Sequence, residues 1–250
     1  MKSFLRISLS VLTIIVALLL MFGCSSVQRK LLYFPSHIGL NSELSPWIHE
    51  DHIIGFTREV PAPKNIWLML HGNGGQAEHR ASVIPFFSKE DSVFILEYPG
   101  YGVRSGTPSM QSINEAARKA YEVLRERFPT TPLCVIGESL GSGPASILAT
   151  LPRPPDKLVL IVPYDELAKV AAEHFPFLPV SLLFHDNWNN VEALANYRGP
   201  LEIFAATFDN VIPIAHAKTL AASKPQTVFH EFPGGHNDWT HNERVQFRYP

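Results

Sequence analysis

"PLCVIGESLGSGPASILATL", residues 132–151, decides how this chain is read. Leu133–Ile136 form an unbroken apolar run, the pattern of a strand buried on both faces. "GPASILATL" is a small-residue helical pattern. Between them Gly137, Ser139, Gly141 and Gly143 fall at one strand-to-helix junction. G-x-S-x-G in that setting is the nucleophile elbow, a sharp turn that strains the serine backbone and leaves no room for a β-carbon at its flanks. Ser139 is therefore a candidate nucleophile. On this stretch alone, a glycine turn kept only for close packing remains the alternative.

Outward from the junction, the same grammar repeats. "NIWLMLHG" (65–72), "SVFILEYPG" (92–100), "KLVLIVPY" (157–164), "PLEIFAAT" (200–207) and "TVFHEF" (227–232) read as strands, and "HIIGFTREV" as a further candidate. Helical patterns separate them: "EHRASVIPFFSKE", "SINEAARKAYEVLRERF" and "IAHAKTLAASK". In the second, Ala117, Ala120, Tyr121, Leu124 and Phe128 recur at three- and four-residue steps. Alternation of this kind predicts an α/β architecture with a mostly parallel central sheet flanked by helices. The interval 165–199 is longer than a crossover helix needs and predicts a small cap insertion. Its "HFPFLPVSLLF" carries Phe175, Phe177, Leu178, Leu182, Leu183 and Phe184, either core packing or an apolar wall for an acyl chain.

The 250 residues are enough for one core-forming domain, and 46% hydrophobic with 18% charged residues argues against disorder. A net charge of -2 offers no basic field for nucleic acid. The N-terminus is separate. "MKSFLR" is basic, "ISLSVLTIIVALLLMF" carries no charge, and "GCSS" follows, the anatomy of a secretory signal. Residues 1–23 are read as the signal, 24–50 as a tether and N-terminal lead-in, and 51–250 as the catalytic domain. An uncleaved signal-anchor and a plain secretory signal are the alternatives. If Cys24 is modified, Cys134 is alone and sits as a small core residue within its strand.

A nucleophilic serine needs a base, and the base an orienting carboxylate. His236 lies in "FPGGHNDW", a glycine-opened loop just past the last strand, with His241 as its main rival. Asp209 in "PLEIFAATFDNVIP" follows the penultimate strand, with Asp165 and Asp238 as rivals. His230 reads as structural, and the His230, His236 and His241 spacing fits no usual metal site. Oxyanion donors are expected from the N–H of Leu140 and of Asn73 in "LMLHGNGG", with Gly72, Gly74 and Gly75 allowing close approach. No phosphate-binding lysine or dinucleotide spacing accompanies those glycines. No metal or cofactor is expected.

"HGNGG", "LEYPGYGVRSGTPS", "GESLGSGPASILA", "FDNVIP" and "GGHNDW", in that order, resemble the serine α/β-hydrolase superfamily. More narrowly they resemble its small-cap branch, which includes eukaryotic protein depalmitoylases and uncharacterised bacterial hydrolases. The resemblance covers roughly residues 28–242. It implies the α/β-hydrolase fold, Ser139 as nucleophile, Asp209 as acid, His236 as base, and Asn73 with Leu140 as oxyanion donors. It implies hydrolysis of ester or thioester bonds in a small-molecule or lipid acyl substrate; peptidase or amidase activity and a non-catalytic envelope binding protein are the other classes. Thr207 departs from the glycine the family often has there, and the helix after His236 is expected to be short. The N-terminus resembles bacterial lipoprotein signals, which implies acylation of Cys24 and a membrane anchor in the cell envelope.

Overall fold

The structure is a computed structural model that describes Thr13 and residues 25–40, 42–177, 179–180 and 184–249. Cys24, Leu178, Leu182, Leu183 and the signal apart from Thr13 lie outside the described residues. Eight strands form one sheet. They are β1 (Ser45–His49), β2 (His52–Arg58), β3 (Ile66–Leu70), β4 (Ser92–Leu96), β5 (Leu133–Glu138), β6 (Lys157–Ile161), β7 (Leu201–Ala206) and β8 (Val228–Phe232). Their spatial order is β1-β2-β4-β3-β5-β6-β7-β8. From β4 to β8 every pairing is parallel, and β1 and β2 add an antiparallel edge. This is the α/β-hydrolase arrangement, with β3 and β5 central.

The apolar runs are continuous because both sheet faces are covered. On β3, Ile66, Leu68 and Leu70 join one core and Trp67 and Met69 the other. Cys134 is buried in the second core with a free thiol, as its place in the β5 run predicts. The first core is roofed by α2 (Met110–Arg127) and α3 (Ser142–Leu148). α2 starts where Ser109 and Ser112 form a reciprocal capping box, and it buries Ile113, Ala117, Ala120, Tyr121 and Leu124 on one face. The second core lies under a 3-10 helix, Ala77–Phe86, and the C-terminal residues Trp239, Val245 and Phe247. Pro85 stands inside that 3-10 helix, where an expected α-helix is replaced by tighter turns.

Two outcomes differ from the sequence pattern. Ser45–His49, within the lead-in segment, is strand β1, with Trp47 buried against Phe94 at 4.9 Å between ring centroids. Pro46 is tolerated because β1 is the sheet edge. The helix α1 (Ser25–Leu32) precedes it, and Tyr33 is buried while Phe34 is exposed. The segment 165–199 contains α4 (Leu167–His174) and α5 (Asn190–Leu194). Helix α6 (Ile214–Ala222) joins β7 to β8, and a 3-10 turn, Asp238–His241, follows the last strand.

Candidate active site

β5 ends at Glu138, and Ser139 turns the chain with φ +51°. A side chain in that left-handed region is strained, so the turn persists only because its surroundings impose it. The flanking glycines supply the reason. A β-carbon on Gly137 would lie 2.6 Å from the Gly141 carbonyl oxygen. One on Gly141 would lie 2.1 Å from the Leu70 carbonyl oxygen and 2.8 Å from that of His71. Gly143 makes room for Tyr164 and Trp188. The elbow is thus pressed onto the end of β3, where the HGNGG loop begins.

Ser139, His236 and Asp209 meet although they are far apart in sequence. His236 Nε2 lies 2.8 Å from Ser139 Oγ, and His236 Nδ1 lies 2.7 Å from Asp209 Oδ2. An ionised carboxylate only accepts, so Nδ1 carries the proton toward Asp209 and Nε2 accepts from the serine hydroxyl. Asp209 is aimed by its own backbone: Oδ1 accepts from the Val211 and Ile212 N–H groups, both at 2.8 Å. Its side chain is 1% exposed and that of His236 10%. The histidine loop is held too. Phe208 N–H donates to the Gly234 carbonyl, and the Thr207 N–H and hydroxyl both donate to that of Phe232. Asp238 does not compete for His236; its Oδ2 accepts from the Gly235 N–H at 2.7 Å and closes the loop.

Leu140 follows Ser139 in the turn, and Asn73 stands two residues beyond the Leu70–His71 contact with Gly141. No bond of the Asn73 N–H is found among the described residues. The side chain of Asn73 is held on both sides: Oδ1 accepts from the Phe34 N–H and the Tyr101 hydroxyl, and Nδ2 donates to the Leu32 carbonyl. Gly75 adopts φ +117°, as a tight loop requires, whereas a β-carbon on Gly74 would meet nothing within 4 Å. Against the protein itself, then, position 74 has room for a side chain.

Buried Glu138 ties the two loops together. Its carboxylate takes a bidentate pair from Arg80, at 2.6 and 2.8 Å, and the Gly72 N–H at 3.0 Å. Burial pushes the Glu138 carboxyl up, but the charge and hydrogen bonds of Arg80, with the Gly72 N–H, outweigh it and hold it below the ordinary range. Nothing in the local sequence pattern pointed to Arg80.

The rival residues are engaged elsewhere. Asp165 Oδ1 lies 2.6 Å from His216 Nδ1 and Oδ2 accepts from Lys169 at 2.9 Å. That pairing locks α4 to α6. His230 Nε2 is 2.8 Å from Glu202, and its ring stacks on Phe204. His241 Nδ1 lies 3.1 Å from the hydroxyl of its neighbour Thr240. Among the described residues, no group of three or more His, Cys, Asp or Glu side chains is placed to hold a metal ion. A surface cavity of about 830 Å³ lies at the opposite end of the sheet, lined by residues such as Pro132, Asp156 and Gly199 that lead into β5, β6 and β7. It contains none of the three bonded residues, and the carboxyl ends of the strands are where such folds place their chemistry.

No family model matches the chain. An uncharacterized protein of Mycobacterium tuberculosis is 36% identical over 231 residues, covering 85% of this chain and 82% of that protein. An alpha/beta hydrolase domain-containing protein of Arabidopsis thaliana is 29% identical over 192 residues, 67% of this chain and 62% of that protein. A lysophosphatidylserine lipase of Macaca fascicularis is 26% identical over 266 residues, 84% of this chain and 67% of that protein. Among solved structures, a Pyrococcus furiosus esterase superposes with a TM-score of 0.65 at 17% identity, covering 83% of this chain and 95% of that one. By these similarities and by its fold, the chain belongs to the α/β-hydrolase superfamily.

Proposed function

We propose that this protein is a serine hydrolase that cleaves carboxylic ester or thioester bonds through an acyl-enzyme on Ser139. The observation that carries this is the unbroken line from Ser139 Oγ through His236 to a buried, backbone-held Asp209, starting at a strained elbow. His236 takes the serine proton as Ser139 attacks the acyl carbonyl. The Asn73 and Leu140 N–H groups receive the oxyanion, each such donor contributing about 10²–10³ in kcat. His236, now positively charged and paired with Asp209, gives its proton to the leaving group. Water then clears the acyl-enzyme by the same route.

The proposed substrates are small-molecule or lipid acyl esters, in keeping with the esterase and lipase names among the similar proteins. Phe175 and Phe177 in the cap are exposed rather than part of the core, which supports their use as an apolar wall. The segment is short, so in solution we expect short and medium acyl chains to be preferred. The N-terminal sequence supports placement in a bacterial cell envelope, anchored by a lipid on Cys24. A fluorophosphonate label combined with a series of p-nitrophenyl esters from acetyl to palmitoyl tests the reading. Serine-directed labelling and a kcat/KM maximum below palmitoyl are expected. Absence of labelling and of ester turnover would reject it, and a steady rise through palmitoyl would reject the shallow wall.

A further inference from the structure

The N-terminal arm is built into the candidate site. α1 is eight residues long, about 12 Å, and its last carbonyl, that of Leu32, accepts from Asn73. Ser36 and Gly75 continue the contact, Ser36 N–H donating to the Gly75 carbonyl at 2.9 Å. On its other side the arm holds the cap: Asp186 accepts from the Tyr33 hydroxyl at 2.9 Å and from Arg29 at 3.3 Å. Immediately before α1 the sequence carries the uncharged run 7–22. Wherever that run goes, it starts about one short helix from the HGNGG loop.

The exposed phenylalanines lie on segments that approach the same place, whereas exposed aliphatic side chains such as Ile48 and Val228 are scattered at the sheet edges. All four phenylalanines that are exposed among the described residues belong to segments meeting around Ser139: Phe34, Phe175, Phe177 and Phe208. Phe34 follows α1 and donates its N–H to Asn73. Phe175 and Phe177 follow α4, whose terminal His174 Nε2 lies 2.8 Å from the Val211 carbonyl in the Asp209 loop. Phe208 precedes Asp209. Leu31 on α1 and Val211 extend the rim, and Phe177 is 97% exposed. Large apolar groups concentrated on one side of a protein mark a surface that something covers.

We propose that this rim docks on a lipid bilayer, so that the candidate active site opens onto the membrane surface and takes its acyl ester from the lipid phase. A bilayer is the occupant that both observations select: residues 1–24 direct the chain to one, through a lipid on Cys24 or through the apolar run itself, and the arm that starts at Ser25 sets the site next to that anchor. Aromatic side chains such as these sit favourably at the headgroup boundary. The proposal rests on residues 1–24 directing the chain to a membrane, and it deepens the hydrolase reading by naming the source of substrate. It also reconciles a shallow wall with long acyl chains, whose distal carbons would remain in the bilayer.

The test uses the chain with its N-terminal anchor intact, in which a lipid on Cys24 blocks that thiol and the thiol of Cys134 is buried. Phe177→Cys and, at the far edge of the sheet, Val228→Cys are each labelled with nitrobenzoxadiazole and reconstituted into phosphatidylcholine–phosphatidylglycerol vesicles carrying doxyl lipids. Quenching at position 177 and not at 228 is expected. No quenching at 177, or equal quenching at both, would overturn the docking, including the case in which a protein partner covers the rim. A second arm compares Leu31→Asp with wild type, Leu31 being an exposed rim residue outside the acyl wall. We expect a loss of about tenfold on a vesicle-borne palmitoyl ester, from placing a charge where a leucine was buried in lipid, with p-nitrophenyl acetate turnover unchanged. Equal losses on both substrates, or none on either, would contradict the proposal. If wild type cleaves neither ester, the hydrolase reading fails, while the quenching result still decides the docking.

Discussion

Gly141→Ala probes the contact that joins the elbow to the HGNGG loop, the proposed oxyanion loop. Its new β-carbon would sit 2.1 Å from the Leu70 carbonyl oxygen, 2.7 Å from the carbonyl carbon and 2.8 Å from the His71 oxygen. Ordinary contact begins near 3.4 Å, so relief requires the two backbones to separate by about 1.3 Å. Every atom met is main chain, and no flexible side chain can give way. Asn73 is two residues beyond His71, so the separation moves its N–H relative to Ser139. A misplacement of about 1 Å costs roughly 10²-fold in rate, and overpacking of this kind costs about 1–3 kcal/mol of stability. The assay is kcat for p-nitrophenyl acetate with the melting temperature measured alongside. We expect kcat to fall about 10²-fold and the melting temperature by several degrees. Gly39→Ala, whose β-carbon meets nothing within 4 Å, should change neither. A Gly141→Ala protein with wild-type kcat would refute the claim that this contact positions the oxyanion loop.

Asp209→Asn should lower kcat by about 10⁴, because the imidazole loses the partner that sets its tautomer and balances its charge, whereas Asp165→Asn should spare kcat and lower the melting temperature by loosening α4 from α6; the reverse ordering in steady-state kinetics would reassign the acid. Glu138 has a folded pKa below its ordinary value, burial being outweighed by Arg80, so its stabilising contribution is complete above about 4.5 and lost as pH falls through the lower folded value. A melting-temperature profile should therefore drop on the acid side less steeply in Glu138→Gln than in wild type, from a lower plateau, and parallel profiles would count against the assignment. Cys24→Ser should abolish incorporation of a fatty-acid analogue and leave the chain unprocessed or released; equal labelling of wild type and variant, or none in either, would favour a signal-anchor.

The strands were legible because a sheet covered on both faces demands uninterrupted apolar runs, and β3 and β5 carry them without a polar residue through Leu70 and Ile136. Ser139, Asp209 and His236 were legible because each follows a strand in a short loop with its own glycine or turn signal. What stayed hidden depends on contacts between distant segments. β1 is five residues with a proline and no alternation, and it exists because β2 offers it an edge. The arm at 25–36 reads as a tether, yet its main-chain groups answer the side chain of Asn73 about forty residues on, with the two separations being 41 and 39. Arg80 lies in a helix-like stretch of mixed polarity, and its pairing with Glu138 spans 58 positions. Asp238 was weighed as an acid because of its closeness to His236; its actual work, closing the histidine loop through the Gly235 N–H, is a local turn geometry that residue type alone does not announce.

The central claim is that Ser139 is the nucleophile, and covalent capture tests it most directly. Wild type is treated with a fluorophosphonate, digested, and the adduct located by mass spectrometry. The account predicts modification on the peptide containing Ser139, and none in Ser139→Ala, whose melting temperature should match wild type within about a degree because one buried hydroxyl is lost without opening a cavity. An adduct that persists in Ser139→Ala, or that maps to another serine in wild type, would contradict it.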